Sequence, residues 1–194
     1  MLGFTPGNRG GSPLTLTDLN TPLGDEVLDL VAGDRVRLSG IVFTARDEAH
    51  QAMQEIGIPF NPAGAAIYHC GPIIQDNKVI AAGPTTSARM NRCSGFLLDG
   101  GVKALIGKGG MGPVVRDQLL GRGIYLAFTG GCAALAASRM TVGGVYFPEL
   151  GMAEAVWVLN FDKVPLVVGI DARGNDLFWE VARKAKLEFS AMFT

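Results

Sequence analysis

The amino-acid sequence predicts a single α/β domain. Short apolar segments with the alternation of β-strands are interleaved with segments whose apolar residues recur at helical spacing. Such alternation favours a sheet that is covered by helices. A chain of 194 residues is long enough to bury a core of useful size, so one domain, with or without a tail, is the working assumption.

The start of the chain is predicted to be an extension. Residues 1–20 are rich in Gly, Pro, Ser and Thr and show no periodicity, which is typical of a flexible or docking segment. The folded domain is therefore predicted to span residues 21–194.

The first long strand and helix of this domain are predicted from residue 35 onwards. Val36 and Leu38 lie on one side of the segment RVRLSGIVF and the arginines on the other, which is the period of a strand. In the following TARDEAHQAMQEIG, apolar residues recur at helical spacing, with Thr44 and Asp47 as a predicted capping pair. Arg46 is therefore expected in the first turn of a helix.

The remaining elements follow in regular order. AAIYHC and KVIAAG predict two short strands, either as a hairpin or as neighbours in one sheet. GPTTSARMNRCSGFLLDGG predicts a helix that Thr86 caps and that ends at Gly100. Beyond it the sequence predicts strand KALIGK, helix PVVRDQLLGRG, strand IYLAF, helix GCAALAASRM, strands VYF, AVWVLNF and PLVVGID, and a terminal helix with Leu177, Val181 and Ala185 on one face.

Composition excludes several classes of protein. A net charge of −1 lacks the basic excess that binding to a phosphate backbone demands. No apolar run approaches the roughly 20 residues that cross a bilayer, and the basic and apolar start of a signal peptide is missing. We therefore expect a cytoplasmic protein with neither nucleic acid nor membrane as a partner. The cysteines Cys70, Cys93 and Cys132 are widely spaced without a CxxC, which predicts free thiols and no metal site in this chain.

The segment from Gly107 to Gly112 matches the GxGxxG pattern of dinucleotide-binding loops. The acidic residue that would bind the ribose about 20 residues further on is missing, since no Asp or Glu occurs between Asp117 and Glu149. A phosphate loop is also disfavoured, because a glycine follows Lys108 where a magnesium-binding hydroxyl is required. The glycines still let a small anion approach the backbone, so Lys108 is a candidate ligand.

A second candidate is the strand-to-helix turn GPTTSAR, which runs from Gly83 to Arg89. In a structural interpretation, Thr86 caps the helix and Arg89 is solvated. In a functional interpretation, the amide groups of the turn and the guanidinium of Arg89 bind a carboxylate. Arg46, at the start of another helix, repeats the arrangement, and two such turns suit two carboxylates. Spacing alone leaves both interpretations open.

Other titratable residues carry weaker signals. His50 and His69 could exchange protons near neutral pH, but neither has a Cys or an acidic residue at a diagnostic spacing. His50 is interpreted as structural. Cys132 follows two glycines at a predicted helix start, where a thiolate would be stabilised, but without a neighbouring base it is interpreted as a packed thiol.

Six motifs occur together in a characteristic order. They are TARDEAH, IYHCGP, GPTTSARM, IGKGGM, GGCAAL and ELGMAEAVW. In this order they resemble the beta subunit of class I iron-sulfur fumarases and L-tartrate dehydratases, and the C-terminal domain of their single-chain relatives. The resemblance covers nearly all of the predicted domain, and only the Gly-rich start of the chain does not match it.

The resemblance implies a swivelling β/β/α domain that forms half of an active site. The other half would come from an alpha subunit that binds a 4Fe-4S cluster through three cysteines, and none of the cysteines here matches a cluster ligand. Arg46, Arg89 and Lys108 match substrate-binding residues of the family. Thr85 matches the residue proposed to help move the C3 proton. The implied assembly is a hetero-oligomer, or a homodimer of the isolated chain.

The function implied by the resemblance is the reversible hydration of fumarate to L-malate, together with the alpha subunit. The TSARMN form of the motif and the short chain favour fumarate hydratase. L-tartrate dehydratase or a methylated-fumarate hydratase stays open, because these substrates differ by a hydroxyl or a methyl group that the pocket must read. A non-catalytic module that binds small anions is the alternative from another class.

Overall fold

The computed structural model describes residues 16–192, which form a mixed α/β domain, as predicted. The strands are β1 (Leu16–Asn20), β2 (Arg35–Thr44), β3 (Ala66–Tyr68), β4 (Ile73–Gln75), β5 (Lys78–Ala81), β6 (Ala104–Gly107), β7 (Ile124–Ala127), β8 (Met140–Tyr146) and β9 (Val156–Ile170). The α-helices are α1 (Asp47–Ile56), α2 (Gly95–Asp99), α3 (Pro113–Leu119), α4 (Ala133–Ala137) and α5 (Leu177–Ala191). Short 3-10 turns cover Asp25–Asp29, Ser87–Met90 and Pro148–Leu150.

The main sheet closes on itself. Strands β1, β2, β3, β6 and β7 lie side by side in that order and run parallel. Strand β9 runs antiparallel beside β7 and also pairs with β2, from Arg35↔Val167 to Phe43↔Val158. The pairings of β2, β3, β6, β7 and β9 therefore form a ring, to which β1 and β8 add as flanking strands. A closed ring gives a barrel-like core in place of an open sheet.

The core has two compartments, because successive side chains of a strand point to opposite faces. On β6, Ala104 and Ile106 belong to one buried cluster, together with residues of β2, β7 and β9. Leu105 belongs to a second cluster, in which it packs with Met53 of α1 and Leu97 of α2. The parallel strands β3, β6 and β7 are thus buried on both faces, which explains why they read as continuous apolar runs.

The parallel strands bring the segments that follow them to one end of the ring. β2, β3, β6 and β7 point the same way, so their carboxyl ends meet at a common edge. The chain leaves these ends at Ala45, His69, Lys108 and Phe128. Binding sites of parallel α/β sheets lie at such an edge.

Two strand predictions are wrong. AVWVLNF and PLVVGID form a single strand, β9, because Lys163 takes a positive φ of 50° and donates its amide to Ser39 Oγ at 3.0 Å, which lets the pairing with β2 continue. KVIAAG forms β5, which pairs with β4 in a separate two-stranded sheet and not with β3. Its turn, Asp76 and Asn77, has the two positive φ angles that tight hairpins use.

The helix predicted from Thr86 to Gly100 is interrupted. It consists of the 3-10 turn Ser87–Met90 and the separate helix α2. Between them, Ser94 Oγ donates to the Met90 carbonyl at 2.8 Å and Asn91 Oδ1 accepts the amide of Gly112 at 2.9 Å. Side chains of this type offer the backbone an alternative to a regular helix.

Neither predicted threonine cap forms. Thr44 is buried at the end of β2, where its Oγ1 donates to the Ala155 carbonyl at 3.3 Å and accepts the amide of Trp157 at 2.9 Å. Thr44 therefore ties β2 to β9 instead of capping α1. Arg46 directly precedes α1 and does not lie within its first turn, and its own side chain makes no capping hydrogen bond. Thr86 precedes its 3-10 turn without a side-chain capping bond.

The two ends of the described chain form strand β1 and helix α5. Strand β1 lies within the span assigned to the extension and pairs with β2 from Leu16↔Arg35 to Asn20↔Ser39; residues 1–15 lie outside the described part. Helix α5 forms as predicted, with Asp176 accepting the amides of Phe178 and Trp179, but within the described structure none of its residues is buried. No helix among residues 16–192 is long and apolar enough to span a membrane.

A buried carboxylate after β9 fastens the loop that leads to α5. Asp171 accepts the amide of Ala32 at 3.0 Å, the amide of Arg173 at 3.0 Å, and both the amide and the side-chain nitrogen of Asn175. Burial favours a raised pKa for this carboxyl, but the hydrogen bonds outweigh it and hold the pKa of Asp171 below its usual range.

Replacing Asp171 with Asn is expected to lower the free energy of unfolding by about 2 kcal/mol near neutral pH, because a charged acceptor of several amides is lost. Since the folded pKa lies below the unfolded one, this stabilisation is present above the unfolded pKa and disappears as the pH falls through the folded pKa. Urea unfolding should show a gap between variant and parent at neutral pH that closes in acid. The exposed Asp162→Asn variant is the control, and a gap that persists in acid would contradict the assignment.

Candidate active site

The predicted site residues lie at the carboxyl edge of the parallel strands. Arg46 follows β2, Lys108 follows β6, and Thr85 lies beside the residue that follows β3. Arg89 is in the 3-10 turn just beyond Thr85. The structure thus brings two pairs to neighbouring strand ends, Thr85 with Lys108 and Arg46 with Arg89.

Arg46 is held by a carboxylate of its own chain. Its Nε lies 3.2 Å from Glu154 Oε1, and the two side chains are 23% and 16% exposed. The Nε–H group does not point squarely at that oxygen, so the contact is an ion pair without an aligned hydrogen bond. Gly71 provides the space for the guanidinium, since a Cβ there would lie 2.7 Å from Arg46 Nη1.

Arg89 also contacts the start of α1. It forms an ion pair with Asp47, the first residue of α1. These side chains are 50% and 40% exposed, so solvent screens the pair. The start of α1, where free amides favour anions, therefore gathers two guanidinium groups and two carboxylates.

Thr85 and Lys108 are joined through the backbone. The Thr85 amide donates to the His69 carbonyl at 2.7 Å, and the Lys108 amide donates to the Thr85 carbonyl at 3.2 Å. The amide of Ser87 then donates to the Lys108 carbonyl at 3.0 Å. The GPTTSAR segment thus lies between the chain segments that leave β3 and β6, which fixes Thr85 relative to Lys108.

The Lys108 side chain is exposed and runs along a glycine loop. A Cβ on Gly130, in the segment after β7, would lie 3.6 Å from Lys108 Cδ. Gly109 follows with a φ of 72°, a backbone conformation that favours glycine. The ammonium group is therefore accessible to a ligand at the edge of the sheet.

A buried polar network lies beneath these residues. Ser87 Oγ is 2.8 Å from His69 Nδ1 and 3.0 Å from the Tyr125 hydroxyl, which donates to the Gly109 carbonyl at 2.7 Å. A Cβ on Gly107 would lie 2.0 Å from Ser87 Oγ. The glycine in the IGKG motif therefore makes room for a serine that connects the segments carrying Thr85 and Lys108.

The two histidines are buried and close together. His50 Nδ1 lies 2.7 Å from the Arg46 carbonyl, and the ring centres of His50 and His69 are 5.5 Å apart. Burial lowers the pKa of His50, and burial together with neighbouring His50 lowers the pKa of His69 well below its usual range. Both rings are therefore neutral at physiological pH. Since a carbonyl only accepts, His50 carries its proton on Nδ1 and donates it to the backbone of Arg46.

The cysteines do not form a metal site in the described chain. Burial raises the pKa of the Cys70 thiol to about 12, and it also raises the pKa of Cys93, which opposes the thiolate that iron or zinc binds. Cys132 Sγ donates to the Thr129 carbonyl at 2.7 Å and packs against the core. Within residues 16–192, no group of three or more His, Cys, Asp or Glu side chains could hold a metal ion.

Sequence reasoning missed the residues that hold the site together. Asp47 and Glu154 pair with the two arginines, and Ser87 and Tyr125 form the network under Lys108. Signals for three of them were present, since Asp47 directly follows Arg46, Ser87 lies within GPTTSAR and Glu154 lies within ELGMAEAVW.

The fold and site define an α/β domain with cationic side chains and a hydroxyl at the carboxyl edge of its parallel strands. The chain belongs to the family described as Fumarase C-terminus, whose model matches residues 10–181. This confirms the family inferred from the motifs.

Several curated relatives support the same membership. The chain is 38% identical over 173 residues to L(+)-tartrate dehydratase subunit beta of Escherichia coli (strain K12), covering 84% of this chain and 86% of the relative. It is 43% identical to the putative L(+)-tartrate dehydratase subunit beta of Methanocaldococcus jannaschii, covering 82% and 89%. It is 36% identical over 184 residues to the putative fumarate hydratase class I of Geobacillus stearothermophilus, covering 90% of this chain and 36% of that relative.

Proposed function

We propose that this chain is the beta subunit of an iron-sulfur-dependent hydro-lyase that interconverts fumarate and L-malate. The observation that carries the proposal is the placement of Arg46, Arg89, Lys108 and Thr85 at one edge of the sheet. Three cationic groups and a hydroxyl at one edge of the sheet suit a small dicarboxylate whose reaction moves a proton. The family membership supports the same chemistry.

The proposed enzyme has two subunits. Relatives of similar length are named as beta subunits, whereas 90% of this chain corresponds to only 36% of the longer fumarate hydratase relative. We propose that the missing part is an alpha subunit that binds the 4Fe-4S cluster, since the described residues of this chain offer no set of ligands for it. The cluster would supply Lewis-acid chemistry at the C2 hydroxyl.

The cationic residues of this chain would bind and orient the substrate. A guanidinium presents parallel N–H donors that match a carboxylate, so Arg46 and Arg89 suit one carboxylate each. Lys108, as an exposed point charge, would stabilise the negative charge that develops when the C3 proton leaves. The ion pairs with Glu154 and Asp47 keep both arginines at the edge before substrate arrives.

Thr85 is proposed to handle the C3 proton. A threonine hydroxyl is a poor base in water, so it would relay the proton to a carboxylate of the alpha subunit. Its backbone is hydrogen-bonded to those of His69 and Lys108, which fixes the position of its Cα. The fold is proposed to be of the swivelling β/β/α type, with residues 21–194 as its domain and β1 as an added strand.

A second substrate is supported by a specific observation. Two of the relatives that match most of their own length are named as tartrate dehydratase beta subunits. L-tartrate differs from L-malate by one hydroxyl group. Polar groups in a site can discriminate strongly between a substrate that carries such a group and one that lacks it. A module that binds small anions without catalysis is the remaining alternative, and it would need no alpha subunit.

Replacing Arg89 with Ala is expected to lower kcat/KM about a hundredfold, because a charged hydrogen-bond donor to one carboxylate is lost. The assay mixes the chain with an alpha subunit, reconstitutes iron and sulfide anaerobically, and follows fumarate absorbance. A parallel assay with L-tartrate follows the oxaloacetate that loss of water would produce. Arg122→Ala is the matched control. Arg122 lies just before the amino end of β7 and forms a similarly exposed ion pair, with Asp99. Equal activity with Arg89→Ala, or full activity without the alpha subunit, would refute the proposal.

A further inference from the structure

Glu154 contacts two parts of the candidate site at once. Oε1 lies 3.2 Å from Arg46 Nε, and Oε2 accepts the amide of Glu48 at 3.1 Å. Both oxygens of the carboxylate are therefore engaged, one by the guanidinium and one by the start of α1. Because Glu48 is the second residue of α1, Glu154 fixes Arg46 relative to the helix that it precedes.

The segment that carries Glu154 is itself anchored. The amides of Glu154 and Ala155 donate to the Gly151 carbonyl at 3.1 and 2.8 Å. Trp157 Nε1 donates to the Met152 carbonyl at 2.8 Å. A side chain held by such surroundings presents its carboxylate in a defined place, which is what orienting another side chain requires.

The contact leaves the outer edge of the Arg46 guanidinium available. Glu154 approaches Nε, and Gly71, which has no side chain, leaves open the space beside Nη1 that a Cβ would fill at 2.7 Å. A carboxylate ligand can therefore use the Nη edge without displacing Glu154. Glu154 is 16% exposed, whereas Asp47, the partner of Arg89, is 40% exposed. Of these two carboxylates, Asp47 is the one that a dianionic ligand can readily displace.

We propose that Glu154 is a positioning residue that holds Arg46 with its Nη edge towards the substrate carboxylate. This inference rests on the proposed function, because it presupposes a dicarboxylate at Arg46. It assigns a role to the acidic residue of the ELGMAEAVW motif. A competing carboxylate, one that blocks Arg46 until substrate displaces it, would produce the opposite effect when its charge is removed.

The test uses Glu154→Gln, which keeps the size of the side chain and its acceptor for Glu48 but removes the ion pair. In the full chain labelled with nitrogen-15, the Nε–Hε signal of Arg46, assigned by its loss in Arg46→Lys, is followed during titration with L-malate and with L-tartrate. In the assembled enzyme, KM and kcat are measured with both substrates. We expect binding about tenfold weaker and a KM about tenfold higher, with kcat within about threefold of the parent. Glu149→Gln, on the same segment and exposed, is the matched control and should match the parent.

The outcomes separate the inference from the proposed function. Unchanged or tighter binding by Glu154→Gln, with a parent that binds and turns over, would overturn the positioning role alone. A parent that neither binds nor turns over either dicarboxylate would overturn the proposed function and this inference with it. If Glu154→Gln does not fold in a thermal melt, Glu154→Asp decides the matter: its charge is kept but its reach is shorter, so a raised KM with retained kcat supports the role and an unchanged KM overturns it.

Discussion

Replacing Arg46 with Ala in the assembled enzyme is expected to lower kcat/KM about a thousandfold, the largest loss among the site variants. Two effects combine. The substrate carboxylate loses a guanidinium, and Glu154, which is only 16% exposed, is left as an unpaired carboxylate at the place where a dianion must bind. Truncating one member of a largely buried charge pair costs more than truncating an exposed one, so the loss should exceed that of Arg89→Ala.

The double variant Arg46→Ala/Glu154→Gln separates these two effects. Removing the stranded charge should restore about tenfold of the lost kcat/KM, because residues in contact do not contribute additively. Arg35→Ala is the matched control, since Arg35 is an exposed arginine at the opposite end of β2. Steady-state kinetics with fumarate, L-malate and L-tartrate compare the parent, Arg46→Ala, the double variant and Arg35→Ala. An Arg46→Ala enzyme within threefold of the parent would remove Arg46 from the site.

The strands were the part of the fold that the sequence predicted best, because period-two alternation and apolar runs are local signals. RVRLSGIVF, KALIGK and IYLAF form β2, β6 and β7. Closure of the sheet had no local signal: it depends on β9 pairing with β2, which lies far away along the chain. The predicted Thr44 cap is wrong because of similarly distant contacts. Thr44 Oγ1 bonds instead to Ala155 and Trp157, which lie 111 and 113 residues further along the chain.

The candidate site shows the same division between local and distant information. Thr85, Arg89 and Lys108 lie in short motifs that can be read directly, and parallel strands predict that the ends of such motifs meet. The partners of the arginines are contacts between distant segments: Glu154 is 106 residues from Glu48, and Asp47 is 42 residues from Arg89. A single sequence does not show which distant residues lie close together, so these ion pairs could not be predicted from it.

The network beneath Lys108 depends on a glycine whose role only the structure reveals. Replacing Gly107 with Ala is expected to lower the free energy of unfolding by about 3 kcal/mol, from overpacking and from the loss of buried hydrogen bonds. The added Cβ would lie 2.0 Å from Ser87 Oγ and 3.2 Å from His69 Nδ1. Ser87 cannot move away cheaply, because its Oγ contacts His69 and Tyr125 and its amide donates to the Lys108 carbonyl.

Urea unfolding of the full chain measures this effect, and kinetics of the assembled enzyme measure its consequence for the site. Gly144→Ala is the matched control, since a Cβ on that strand glycine would meet only Val158, at 3.8 Å or more. In the double variant Gly107→Ala/Ser87→Ala the clashing oxygen is gone, so the loss should be smaller than the sum of the single variants. If Gly107→Ala were as stable and active as Gly144→Ala, close packing of Ser87 over Gly107 could not be what fixes Lys108 beside Thr85.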